Sequence, residues 1–123
     1  MNPLDAFPVT RKWPPSQPQY LQLYSLPTPN GVKVSIMLEE IALPYEAHRV
    51  SFEDNAQFSS KFLSLNPNNK IPAILDPNGP EGQPLALFES GAILLYLAEK
   101  SGQLLPAQAQ QRYECIQWLM WQV

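Results

Sequence analysis

Three short stretches hold residue types that could do chemistry. Thr28-Pro29-Asn30 precedes a run with helical spacing, so it falls where a helix begins. The first turn of a helix presents unpaired N–H groups and the positive end of its dipole, a setting that favours a thiolate. Prolines 27 and 29 stiffen this turn, and Thr28 and Asn30 can aim donors at a sulfur. Glu89-Ser90 opens a second helical run, where the Ser90 hydroxyl and nearby N–H groups make a ready carboxylate site. Lys70-Ile71-Pro72 joins a cation to an X-Pro step. Only about 5–6% of such bonds are cis in folded proteins, so spacing alone leaves the isomer open. The same residues also suit structural duties: Asn30 as a helix N-cap, Thr28 as a turn residue, Glu89-Ser90 as a second cap, Lys70 as a solvated cation.

The elements that must position these residues follow from pattern. Residues 20–24 predict a strand, and the proline-rich turn at 26–31 leads into a helix over 32–41, with Val34, Met37, Leu38 and Ile41 at 3–4 residue spacing. Pro44 follows as a stop. Residues 45–52 alternate weakly and predict a second strand, and 57–65 a short irregular helix. Two apolar runs, 71–75 and 85–88, flank the dense turn signal at 76–82 and predict an antiparallel hairpin. A strongly apolar helix runs from Glu89-Ser90 to Ser101-Gly102, and a last one from near Ala107 to Val123. The order β-α-β-α-β-β-α, then a further helix, implies a mixed four-stranded sheet with helices on its faces, an α/β arrangement of thioredoxin-like type.

Composition bounds what remains. The chain has 123 residues, enough for one domain and little more. Its net charge of −3 argues against a nucleic-acid footprint. A single cysteine excludes an internal disulfide framework, a thiolate zinc cluster and a CxxC redox pair, and a single histidine disfavours a histidine metal site. No apolar run approaches the ~20 residues of a membrane span, and the N-terminus lacks the apolar stretch of a secretory signal. A cytoplasmic, metal-free domain is the expectation. Five of the 14 prolines lie in the first 18 residues, which predicts an extended arm. That arm either hangs free or is pinned by Phe7 and Trp13.

Taken together, Leu23 to Gly31, Asn66 to Ile74 and Phe88 to Leu97 resemble the glutathione transferases, and most closely the bacterial Nu class of glutathione-dependent disulfide-bond reductases. The resemblance covers residues 20–123. It implies an N-terminal glutathione-binding domain over 20–103, preceded by the arm at 1–19 and followed at 104–123 by the start of a helical C-terminal domain. It further implies that Thr28 and Asn30 activate the glutathione thiol without any protein cysteine. Ile71, before a cis Pro72, would pair its backbone with the cysteinyl unit, and Lys70 would meet the glycyl carboxylate. Ser90 and Glu89 would hold the γ-glutamyl carboxylate and ammonium, and Gln57 would add a contact. The implied partners are glutathione, a disulfide or electrophile, and a second copy in a homodimer.

Other residues draw plain readings. Cys115 is expected as a small core side chain, His48 as a strand residue without a catalytic part, and Tyr24 as a strand residue rather than a thiol partner. The final helix is apolar and stops mid-pattern, so either the chain is a piece of a longer protein or a partner covers the helix. A non-catalytic glutathione-binding or interaction module is the competing function, since fold alone does not decide activity. A mere assembly surface without glutathione affinity is the third.

Overall fold

A computed structural model describes residues 2–123. Its centre is a four-stranded sheet in the order β2-β1-β3-β4, built from β1 (Leu21–Ser25), β2 (Tyr45–Arg49), β3 (Ala73–Asp76) and β4 (Leu85–Phe88). Strands β1 and β2 are parallel, while β3 runs antiparallel to both β1 and β4. The parallel pair needs a crossover, and α2 (Pro29–Glu40) supplies it. The α4 helix (Ser90–Ser101) follows β4, and α5 (Ala109–Gln122) follows α4. This is the expected thioredoxin-like arrangement.

The two faces of the sheet are covered differently. Leu21 and Leu23 of β1 and Ile74 of β3 point to one face, where α2 and its C-cap bring Val34, Met37, Leu38 and Ile41 and α4 brings Ile93, Leu97 and Ala98. Each such large side chain contributes about 1.5–3 kcal/mol on burial. Asp76 ties α4 to this layer from the sheet: it is buried, and it accepts hydrogen bonds from Tyr96 Oη (2.6 Å) and Lys100 Nζ (2.7 Å). Tyr24, Ala73 and Leu75 point to the opposite face, which no long helix covers. The expected helix over 57–65 is split there into a 3₁₀ turn (Ala56–Phe58) and the single-turn α3 (Ser60–Leu63). The break is at Ser59, whose backbone is extended (φ −64°, ψ 148°) and whose Oγ caps the amide of Phe62.

The proline-rich leader completes that second face, so it is not an extended arm. Residues Pro3–Ala6 form a 3₁₀ turn capped by Asn2, and Val9–Lys12 form the short α1. Leu4 and Val9 are fully buried against Val50, Phe62 and Leu75. Trp13 lies edge-on to Tyr24 (5.9 Å between ring centres) and to Phe62 (6.3 Å). Its indole N–H donates to the Arg49 carbonyl at 3.1 Å. Pinning by aromatic residues is therefore the outcome, with Leu4 and Val9 sinking deeper than Phe7.

A polar clasp secures the end of the leader. Glu46 on β2 accepts the backbone N–H of Ser16 (2.9 Å) and of Gln17 (2.8 Å). Gln22, buried on β1, donates to the carbonyls of Gln17 and Tyr20 and joins His48 Nε2 at 2.7 Å. His48 stacks on the Tyr24 ring (4.9 Å), so it is a structural bridge. Cys115 is half-buried beside Leu104 rather than in the core.

Acid should loosen this clasp. Partial burial pushes the Glu46 carboxyl up, but the Ser16 and Gln17 amides and nearby His48 outweigh it and hold the group below its usual value. The stability it contributes is therefore complete above about pH 4.3 and is lost as pH falls through the lower folded value. Burial likewise pulls the His48 imidazole down, with Glu46 partly opposing. Protonation below about pH 6.5 thus works in the same direction. Thermal unfolding should show a Tm that drops between about pH 7 and pH 3, with the Glu46 part of the drop below about pH 4.3. Glu46→Gln should cost about 1 kcal/mol at pH 7 and flatten the acid part of that drop; an unchanged profile would refute the clasp.

Candidate functional site

The start of β3 gathers the chemistry-bearing residues. Ala73 is level with Tyr24 of β1 on one side and Phe88 of β4 on the other. The chain entering β3, the chain leaving β4 and the turn after β1 therefore meet at one end of the sheet. Between them lies a cleft of about 410 Å³, lined by Asn30, the 66–72 loop, Phe88, Glu89, Ser90 and Val123 at the end of α5.

Six of the eight residues singled out from the sequence line this cleft: Asn30, Lys70, Ile71, Pro72, Glu89 and Ser90. Thr28 and Gln57 do not. Thr28, rather than Asn30, is the N-cap of α2: its Oγ1 accepts the Gly31 amide at 3.1 Å. Val32 N–H is taken by the Thr28 carbonyl, and Pro29 has no N–H to offer. Asn30 N–H is thus the one amide of this first turn left for a ligand. The Asn30 side chain accepts from Lys33 Nζ at 2.9 Å, which leaves its own amide hydrogens free to donate.

Glu89 and Ser90 are placed by a tight junction. A single residue separates the last residue of β4 from the first of α4, and Glu89 makes that reversal with φ 76° and ψ 115°. Such a conformation is costly for any residue but glycine, and strain of this kind clusters at functional sites. No side chain caps the α4 N-terminus, so the amides of Ser90, Gly91 and Ala92 face outward with the positive end of the helix dipole. Ser90 is buried beneath them, and Glu89 is exposed.

The 66–72 loop forms the facing wall. The Ile71–Pro72 bond is cis, settling an isomer that the sequence left open. The strand expected over 71–75 starts two residues later, at Ala73, and runs on to Asp76. Ile71 lies just outside the ladder, and its N–H and C=O take part in no turn or cap hydrogen bond among the described residues. Asn66 organises the loop: its Nδ2 donates to the Lys70 carbonyl (2.8 Å) and its Oδ1 accepts the Asn68 amide (2.9 Å). The sequence places Asn66 at the head of the 66–74 stretch that carries the resemblance, but gives its side chain no separate role. Gln57 sits behind a left-handed Asn55, and its Oε1 is buried with no partner among the described residues.

The cleft thus offers two helix N-termini, a free strand-like backbone edge at Ile71, one cation at Lys70 and one carboxylate at Glu89. That set suits a small, extended, peptide-like zwitterion. Among the described residues no group of three or more His, Cys, Asp or Glu side chains is gathered as metal ligands would be. No helix among the described residues is long and apolar enough to cross a membrane.

Comparison with known proteins agrees with this chemistry. Residues 19–99 match the family described as glutathione S-transferase, N-terminal domain, and the chain belongs to that family. Within it, the chain is similar to the disulfide-bond oxidoreductases YfcG (51% identity over 104 residues, 84% of this chain and 48% of the relative) and YghU (48% over 120 residues, 93% and 41%) of Escherichia coli. Among solved structures it is similar to a glutathione transferase from Pseudomonas putida with one glutathione disulfide bound per subunit. That match has 73% identity and a TM-score of 0.95, and it covers 97% of this chain and 52% of that one. A Burkholderia graminis glutathione transferase with two glutathione molecules per subunit matches at 70% identity and a TM-score of 0.95, covering 97% and 50%. The chain spans about half the length of the relatives it matches.

The α2 turn makes two predictions. A Cβ on Gly31 would lie 1.9 Å from the Leu26 carbonyl oxygen and 2.7 Å from Ser25 Oγ. Gly31→Ala should therefore cost at least about 2 kcal/mol and lower Tm by several degrees. Thr28→Ala removes only a cap and should cost about 1 kcal/mol. Thermal or denaturant unfolding checks both, and an unaffected Gly31→Ala would show the turn is wrongly placed.

Proposed function

We propose that this chain binds glutathione in the cleft, and that the protein to which it belongs uses the bound thiolate to reduce disulfides, in the manner of a Nu-class glutathione transferase. One observation carries the reading: the uncapped α4 N-terminus at Ser90, the free backbone edge of Ile71 and the α2 turn line one cleft. The γ-glutamyl carboxylate would sit on Ser90 and the first-turn amides of α4, with its ammonium at Glu89. The cysteinyl unit would lie along Ile71 as an added strand, and the glycyl carboxylate would meet Lys70. Gln57, with its open Oε1, contributes only if the 56–58 turn shifts toward the cleft.

The thiol would then lie at the start of α2. Asn30 supplies a backbone N–H and side-chain amide hydrogens there. Thr28, although outside the cleft lining, keeps its hydroxyl proton to donate from the turn behind Asn30, because its bond to Gly31 uses only a lone pair. Each unit of thiol pKa lowering needs about 1.4 kcal/mol of preference for the thiolate, within reach of two or three aimed donors. The thiolate attacks one sulfur of the substrate disulfide, forming a mixed disulfide and expelling the other sulfur as a thiolate. A second glutathione attacks the glutathione sulfur of that mixed disulfide, releasing the second substrate thiolate and glutathione disulfide. Two electrons pass from two glutathiones to one disulfide, and no protein cysteine takes part. The relatives bearing two glutathiones or one glutathione disulfide per subunit support this stoichiometry. A homodimer in the cytoplasm is part of the same proposal.

Calorimetric titration with reduced and oxidised glutathione tests the binding. We expect binding by the wild type and at least about tenfold weaker binding by a Glu89→Ala, Ser90→Ala double variant. Identical affinities would sink the assignment of the cleft. Reduction of a model disulfide by the full-length protein should fall in Asn30→Ala, and further in Thr28→Ala, Asn30→Ala. Unchanged turnover would refute the thiolate role, and binding without any turnover would favour a non-catalytic module.

A further inference from the structure

The cleft loop is linked by a chain of contacts to a part of the molecule that does not line the cleft. Asn66 shapes residues 66–70, and its own amide is held by the Phe62 carbonyl at 2.9 Å. Phe62 is fully buried, and the edge of its ring meets Trp13 at 6.3 Å with an interplanar angle of 80°. Trp13 is fixed in turn by its bond to the Arg49 carbonyl, by its contact with Tyr24 and, three residues on, by the grip of Glu46 on Ser16. Ile71 itself packs against the same buried cluster that takes in Leu4 and Val9. A continuous path of packed rings and hydrogen bonds thus runs from the leader to the ligand-facing edge, with α3 as a short middle link.

We propose that Trp13 is a positioning residue for the cleft: the docked leader sets the 66–71 loop, and so governs ligand affinity without contacting the ligand. A helix of one turn cannot hold its own geometry, because nucleation costs more than a single turn returns. The orientation of α3 must therefore be imposed from outside, and Trp13, beside the buried Leu4 and Val9, is the aromatic side chain that the leader sets against Phe62 of α3. The competing view makes the leader a cover that stabilises the whole domain evenly.

This inference rests on the cleft being a glutathione site, so the test has one arm that does not. Amide hydrogen exchange of ligand-free protein should be faster in Trp13→Ala at Asn66, Asn68 and Asn69. A variant of matched Tm on the other sheet face, Leu97→Ala, should leave those amides alone. Glutathione titration of the same proteins, well below their Tm, should show affinity about 3- to 30-fold weaker in Trp13→Ala, unchanged in Leu97→Ala and mostly restored in Trp13→Phe, which keeps a ring edge. Should Trp13→Ala not fold, Trp13→Leu carries both arms. Loop exchange and affinity that merely track Tm across all variants would overturn the proposal. Absence of glutathione binding by the wild type would instead strike the function proposed above, and the exchange arm would still decide whether Trp13 sets the loop.

Discussion

The molecule depends on β3 being paired along both edges. A strand with hydrogen-bonded neighbours on each side has no freedom of register, and here that register aligns Ala73 with Tyr24 and Phe88. Every ligand-facing feature is displaced by a few residues from one of these three positions. Ile71 precedes Ala73, Glu89 follows Phe88, and the α2 turn begins a few residues beyond Tyr24. The cleft is accordingly a by-product of strand pairing, and its walls are rigid where they join the sheet.

The two faces of that sheet divide the labour. One is covered by α2 and α4, each 12 residues long and packed along its length on the core, and their first turns carry the Asn30 and Ser90 ends of the cleft. The other is covered by pieces of three or four residues, which hold together only because leader, α3 and β2 interlock. Polar and apolar contacts are combined in that second layer: Glu46 and Gln22 grip backbone while Leu4, Val9 and Trp13 fill volume. Its cohesion is cooperative, and losing one member exposes the rest.

Much of this was legible beforehand, for identifiable reasons. Strands and long helices announce themselves through periodicity, so the order of elements along the chain, the mixed sheet and the positions of α2 and α4 followed from apolar spacing and turn residues. The leader was misread because proline content argues against long elements but says little about single turns, which Pro3 and Pro8 in fact begin. What buries Leu4 and Val9 is a surface of Phe62, Val50 and Leu75 assembled from distant segments. Local pattern cannot reveal such a surface. The exchange of duties between Thr28 and Asn30 had a similar origin: the helix begins three residues earlier than periodicity suggests, since Pro29 is a favourable first residue and contributes no apolar signal. The role of the Asn66 side chain escaped notice because its work is done on backbone, and side-chain type alone does not say which carbonyl it will find.

The three tryptophans are divided in a way that has an optical consequence. Trp118 and Trp121 face each other on α5 and are 60% and 76% exposed, while Trp13 is partly shielded between Tyr24 and Phe62. An indole surrounded by water emits at longer wavelength than one lodged among rings. The intrinsic emission of the protein is therefore a sum of two colours, the bluer from the leader and the redder from the last helix. Whatever covers α5 and whatever releases the leader would shift opposite ends of the same spectrum.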